Sequence, residues 1–236
     1  MTNNGKSRSI LSVYQKESPA GTEFRRLFSN IKAKEKDQKL QTIMVTSATI
    51  SEGKSLTSSL LAVTIAELSR VKVALIDFDL RRPKISFYFD LDKGAGVSDV
   101  LSGKSTLKLV SRQTIIPNLS IITAGLQDIN PSEALDHENM VAFFQELRFY
   151  FDYIIIDSPP VIPVSDPLLL AEYADGVLLV VRGGTTQREV VSRASNLLIN
   201  AKVNVLGVIL NDCDEVLPYY YKHRYYGYDY YGKEHS

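Results

Sequence analysis

Two groups of residues in this chain have types and spacings that suit chemistry. The first lies in Ser47-Ala-Thr-Ile-Ser-Glu-Gly-Lys-Ser-Leu56 and centres on Gly53-Lys54-Ser55. At a turn from strand into helix such a run holds phosphates. Backbone N–H groups curl around phosphate oxygens, and the helix N-terminus adds positive potential. The lysine reaches the β- and γ-phosphates, and the serine hydroxyl can ligate Mg²⁺. The usual pattern, G-x-x-x-x-G-K-[ST], has glycine where Ala48 stands, a replacement alanine tolerates unless φ is positive. Three carboxylates, Asp77, Asp79 and Asp157, sit at the ends of apolar runs (ALIDFD and YIIID). Brought together, they would repel one another unless a divalent cation lay among them. With Lys54 and Ser55 they read as an Mg²⁺–ATP site. The second group is tyrosine. Tyr219, Tyr220, Tyr221, Tyr225, Tyr226, Tyr228, Tyr230 and Tyr231 crowd the last eighteen residues of a chain with 13 tyrosines. They follow neither a helical nor a strand period, and Gly227 and Gly232 interrupt them. They are either aromatic packing or phenol hydroxyls offered to a reaction.

The elements that must position these residues alternate in type. Thr42–Ser47, Lys72–Phe78, Leu119–Ala124, Tyr153–Asp157, Val177–Arg182 and Val205–Asn211 read as short apolar strands. Helices are predicted over Lys54–Arg70, Glu138–Phe151, Asp166–Tyr173 and Gln187–Ala201, and Asp90–Arg112 reads as loops around a short helix. Strands apolar throughout and separated by helices imply an α/β fold with a mostly parallel sheet covered on both faces. In such a sheet ligands bind at the C-terminal ends of the strands, which gathers Asp77, Asp79 and Asp157 beside the phosphate loop. Before the first strand, Phe24, Leu27, Phe28 and Ile31 fall on one helical stripe. The expected division is an arm over 1–40, a P-loop domain over 41–215 and a flexible tyrosine tail over 216–236.

With 27 basic and 27 acidic residues, a net charge of zero argues against a nucleic-acid binder. A single cysteine, Cys213, forms no internal disulfide, fits a reducing compartment and is expected in the core. No apolar run approaches the ~20 residues of a membrane span, and the N-terminus lacks a signal-peptide pattern. His137 and His223 lack metal-ligand partners at a known spacing.

The combination of "VTSATISEGKS", "LIDFDLRRP", "YIIIDSPPV" and the tyrosine tail closely resembles the bacterial tyrosine kinases (BY-kinases), and more narrowly the separate cytoplasmic CpsD/CapB-type kinases of capsule and exopolysaccharide loci. The likeness runs from about Ser18 to the end. It implies a three-layer P-loop NTPase fold of the MinD/ParA kind, not the eukaryotic kinase fold. Glu52, Gly53, Lys54, Ser55 and Leu56 then belong to the nucleotide-binding Walker A segment, and Asp77 and Asp79 to the Walker A′ motif. Ser55, Asp77 and Asp157 are expected on the metal side. Asp79 is expected as the base for the tyrosine hydroxyl, with Asp77 second. Asn211 is placed at the adenine, a turn-forming role being equally open. Arg81 or Arg82 steadies phosphate or acceptor, or is surface charge. The resemblance further implies a transmembrane chain-length-regulator adaptor that activates the kinase at the inner face of the membrane, a phosphotyrosine phosphatase and a homo-oligomer. Ser18–Ile31 departs from the family's subunit-contact segment, with Thr22 and Phe28 where Glu and Arg are usual. "ISEGKSL" likewise replaces "PGEGKST". Two rivals remain. A MinD/ParA-type partitioning ATPase would carry a lysine where Thr49 stands, and a nucleotide-dependent scaffold of the polysaccharide machinery would not transfer phosphate.

Overall fold

A computed structural model describes residue 10 and residues 18–126 and 137–213. Its centre is a seven-stranded sheet in the order β3-β4-β2-β5-β1-β6-β7, parallel except for β3 against β4. The strands are β1 (Thr42–Ser47), β2 (Val73–Asp77), β3 (Arg112–Gln113), β4 (Leu119–Ile122), β5 (Tyr153–Asp157), β6 (Gly176–Arg182) and β7 (Val205–Asn211). The uniformly apolar reading of the central strands corresponds to full burial. Every residue of β1, β2, β4 and β5 is buried. Period-two alternation then divides each strand between two cores. Ile43, Val45, Leu75 and Ile155 face one side, and Met44, Ile76, Ile154 and Ile156 the other. β7 borders the sheet among the described residues and exposes Val208 and Leu210. Cys213, just past it, is half-buried rather than in the core, because it sits at this rim.

The first core lies under α1 (Pro19–Lys34) and α2 (Lys54–Ser69). Ser18 caps α1, its hydroxyl accepting from the Gly21 N–H at 3.1 Å, as serine before a helix start should. The predicted stripe faces inward: Phe28 and Ile31 are buried, with Phe24 and Leu27 packed against them. Phe28 meets Tyr153 edge to face, centroids 5.9 Å apart. The Tyr153 hydroxyl bonds to Glu35 just beyond the helix. Because α1 covers its outer side, α2 is buried nearly all round from Lys54 to Ala66. The second core lies under α4 (Val97–Leu101), α5 (Leu107–Val110), α6 (His137–Tyr150), α7 (Asp166–Ala171) and α8 (Arg188–Asn200), with Phe78 stacked on Phe144 and Phe143 edge-on to both at its centre. One further turn, α3 (Ile85–Tyr88), follows the acidic loop after β2. The stretch Asp90–Arg112 therefore holds two short helices instead of one, and Arg112–Gln113 adds the antiparallel strand β3.

Candidate active site

β5 lies between β1 and β2, with Asp77 level with Asp157 and Val45 level with Asp157. The loops leaving β1, β2 and β5 consequently converge at one edge of the sheet. Between β1 and α2 the chain forms the phosphate loop. Ala48 is buried and is absent from the positive-φ positions, so the missing first glycine costs nothing in backbone conformation. Two other positions carry the curl, Ser51 at φ 63° and Gly53 at φ 94°. A Cβ on Gly53 would also fall 2.0 Å from Asn211 Nδ2.

That near-contact belongs to a brace under the loop. The buried Glu52 carboxylate accepts from the Thr49 N–H at 2.8 Å through one oxygen and from the Thr186 hydroxyl through the other. Asn211 Nδ2 donates to the Glu52 carbonyl at 2.9 Å. Asn211, placed by sequence at the adenine or in a turn, thus contacts the loop's backbone. Thr186, in the connection between β6 and α8, had no local signal to reveal it. Leu56 lies in the first turn of α2, half-buried against the first core.

Lys54 is the hub. Its ammonium lies 2.7 Å from Asp79 Oδ2, 4.0 Å from Asp157 Oδ1 and 3.2 Å from Ser55 Oγ. Burial works against its charge, but Asp157, Asp79 and Asp77 outweigh that and lift its pKa above the ordinary lysine value. The three carboxylates differ in their partners. Asp77 is wholly buried. It accepts from the Asp79 N–H at 3.2 Å on one oxygen and from the Lys84 and Ile85 N–H groups, each at 3.0 Å, on the other, so it ties down the loop after β2. Asp79 faces the cleft, and its second oxygen accepts from the Arg82 N–H at 3.0 Å. Asp157 is fully buried, and neither of its oxygens has a hydrogen bond of normal geometry; the Lys54 ammonium at 4.0 Å and the nearby Ser55 and Ser58 hydroxyls favour its charge only in part. Ser58 and Ser59 donate to the Ser55 carbonyl at 3.1 and 2.7 Å. Burial first, then Asp157, pushes the Asp77 carboxyl up to about 8; burial pushes Asp157 up to about 6 against the pull of Lys54.

An orphaned buried carboxylate beside a serine hydroxyl fits a hard divalent cation. Among the described residues no three His, Cys, Asp or Glu side chains group as a ready-made metal site. Ser55 and Asp157 would therefore supply part of an Mg²⁺ shell, with phosphate oxygens and water supplying the rest. The site opens into a cleft of about 1180 Å³ that runs from Lys54 and Ser55 past Asp79 to Arg82, Lys84 and Lys93. Arg81 also lines it but is held by Asp166 at 3.0 Å. Tyr88 is a lining residue not singled out from sequence; burial first, then Asp157, raises its hydroxyl pKa. The eight tail tyrosines and His223 lie outside the described residues. No helix among the described residues is long and apolar enough to cross a membrane.

Residues 39–228 match a family model described as ParA, NUBPL iron-transfer P-loop NTPase. A putative tyrosine-protein kinase CapB of Staphylococcus aureus is 33% identical, the alignment covering 95% of this chain and 99% of that one. The tyrosine-protein kinase YwqD of Bacillus subtilis is also 33% identical, with 93% and 92% covered. Among solved structures, the chimerical protein CapA2B2 superposes with a TM-score of 0.82 at 30% identity, over 88% of this chain and 91% of that one. The kinase domain of the Escherichia coli tyrosine kinase ETK gives 0.81 at 31%, over 89% and 84%. MinD of Pyrococcus horikoshii, at 22% identity and a TM-score of 0.60, shares the fold.

Proposed function

The chain belongs to the bacterial tyrosine kinases within the ParA-type P-loop NTPases, and we propose that it transfers the γ-phosphoryl group of ATP to the tyrosines of its own C-terminal cluster. The observation that carries this reading is the buried Lys54–Asp79 pair beside the orphaned Asp157, at the mouth of a cleft large enough for a nucleotide and an acceptor side chain. Phosphoryl transfer asks a protein mainly for positioning and charge neutralisation. Bound Mg²⁺ would neutralise charge across the β- and γ-phosphates. Ser55 and Asp157 are the residues suited to hold it, and the loop amides and Lys54 to hold the phosphates. Once a γ-phosphate draws the Lys54 ammonium away, Asp79 Oδ2 is left free at the cleft wall. It then accepts the phenol proton as the phenol oxygen bonds to Pγ and the bond from Pγ to the β,γ-bridging oxygen breaks, releasing ADP. Asp77 suits this role less well, because backbone N–H groups engage both its oxygens and it has no exposure.

In the same reading the kinase regulates capsule or exopolysaccharide polymerisation and export. A transmembrane adaptor recruits and activates it, a phosphotyrosine phosphatase reverses it, and it works as a homo-oligomer with phosphorylation in trans. The first test is intact-mass spectrometry after incubation with Mg–ATP and the cytoplasmic segment of a candidate adaptor. We expect a ladder of added phosphates that is lost in Lys54→Met and in a chain truncated after Pro218. ATP hydrolysis without added mass would favour a ParA-like ATPase. Nucleotide binding without either would favour a scaffold.

A further inference from the structure

The catalytic cleft does not end at the phosphate site. Its far arm is lined by Arg82 and Lys84 from the loop after β2 and by Lys93 beyond α3. All three side chains are exposed, and none pairs with a carboxylate among the described residues. The other charges along the cleft are already matched: Lys54 by Asp79, and Arg81 by Asp166. Asp92 is the one acid left to offset the arm. Three unmatched cations beside the place where an acceptor phenol must enter are suited to an anion carried by the acceptor chain. They differ from Lys54 in being exposed and without a carboxylate partner, whereas its buried ammonium sits against Asp79 and Asp157.

We propose that this arm is a subsite for an anionic side chain flanking the acceptor tyrosine, above all a phosphotyrosine, so that phosphorylation of one tyrosine primes its neighbours. This rests on the kinase reading above and adds a substrate preference to it. The tail supplies the matching pattern: Tyr219–Tyr220–Tyr221, Tyr225–Tyr226 and Tyr230–Tyr231 are contiguous, so each transfer places a new dianion one residue from the next acceptor. Three exposed cations acting on a dianion give a modest, salt-sensitive preference rather than an absolute requirement.

The test uses full-length protein and six-residue peptides with the sequence of Leu217 to Lys222. The middle tyrosine is phosphotyrosine, glutamate or phenylalanine, which leaves two acceptors in each. We expect kcat/KM for the phosphotyrosine peptide to exceed that for the phenylalanine peptide about tenfold, equivalent to about 1.4 kcal/mol, with the glutamate peptide between them. In the triple variant Arg82→Gln, Lys84→Gln, Lys93→Gln that ratio falls toward one, while the KM for ATP shifts by the same factor whichever peptide is present. Equal rates on the phosphotyrosine and phenylalanine peptides, or a preference that survives in the triple variant, would overturn the subsite. Fluorescence anisotropy of the same peptides on Mg–ADP-loaded protein gives a readout without turnover. Turnover without discrimination sinks the subsite alone. Discriminating binding without any turnover sinks the kinase reading and leaves an anion site of another purpose.

Discussion

Asp157 is a carboxylate with no exposure, no hydrogen bond of normal geometry and only the Lys54 ammonium, at 4.0 Å, as a counter-charge, a state that costs free energy until a bound divalent cation or a proton satisfies it. Asp157→Asn should therefore stabilise the metal-free protein by about 1–3 kcal/mol, raising its Tm by several degrees, while abolishing Mg²⁺-dependent nucleotide stabilisation and phosphate gain. A variant that is destabilised in EDTA would show that Asp157 is already satisfied without metal. The same burial sets a pH dependence. Asp157 and Asp77 hold protons up to about 6 and about 8 in the fold, against an ordinary carboxyl value of 3.8. The stabilisation this gives is complete below about pH 4 and is lost as pH rises through the folded values. Metal-free protein should thus lose stability to urea between pH 5 and pH 8, and the stabilisation by Mg–ADP should grow over the same window. Flat stability from pH 5 to 8 in EDTA would refute this. Ser51 carries a different strain: a non-glycine residue at φ 63° where the family's loop has glycine. Ser51→Gly relieves the strain but gains chain entropy on unfolding. We expect a stability change within about 1 kcal/mol and faster ADP release, read by stopped-flow with a fluorescent nucleotide.

The phosphate loop is one element held by two others, since Thr186 leads into α8 and Asn211 ends β7. Thr186→Val and Asn211→Ala should each weaken nucleotide binding about 5- to 20-fold, or about 1–2 kcal/mol, with circular dichroism unchanged. Because both act through Glu52, the double variant should fall short of additivity by more than about 0.5 kcal/mol. Strict additivity would mean that the two contacts do not brace one loop. This brace also marks the limit of what the sequence discloses. Gly53-Lys54-Ser55 and the aspartates ending β2 and β5 were legible because the alternation of strand and helix fixes which ends gather. Thr186 lies 134 residues from Glu52 with no local pattern around it. β3 has two residues, too few for any period to show. α1 was legible from its stripe, and its packing explains the departure in that segment: Phe28, where the family has arginine, is buried against Tyr153. Phe28→Ala should cost about 3 kcal/mol, measured by urea denaturation; a loss below 1 kcal/mol would mean that α1 is loosely docked.

At the scale of the whole molecule, the strand order bears on the two ends of the proposed tail phosphorylation. The described chain ends at Cys213, just past β7, whereas the basic arm follows β2, four strand positions away in the sheet. At about 4.8 Å per position that is roughly 19 Å, with the phosphate loop between them. From Cys213 a fully extended chain reaches Tyr219 in at most about 20 Å and Tyr231 in about 60 Å. Transfer within one chain would hence most disfavour Tyr219, which reaches the span with no slack, leave Tyr221 a margin of only about 7 Å, and favour Tyr230 and Tyr231. Transfer between chains imposes no such gradient. We expect the second pattern: mixing full-length Lys54→Met with active protein truncated after Pro218 should phosphorylate the inactive chain. The rate should be proportional to the concentration of each partner, and early label should appear on Tyr219–Tyr221 as readily as on Tyr230–Tyr231. Label confined to the distal tyrosines, with a rate independent of concentration and no transfer in the mixture, would place the reaction within a single chain.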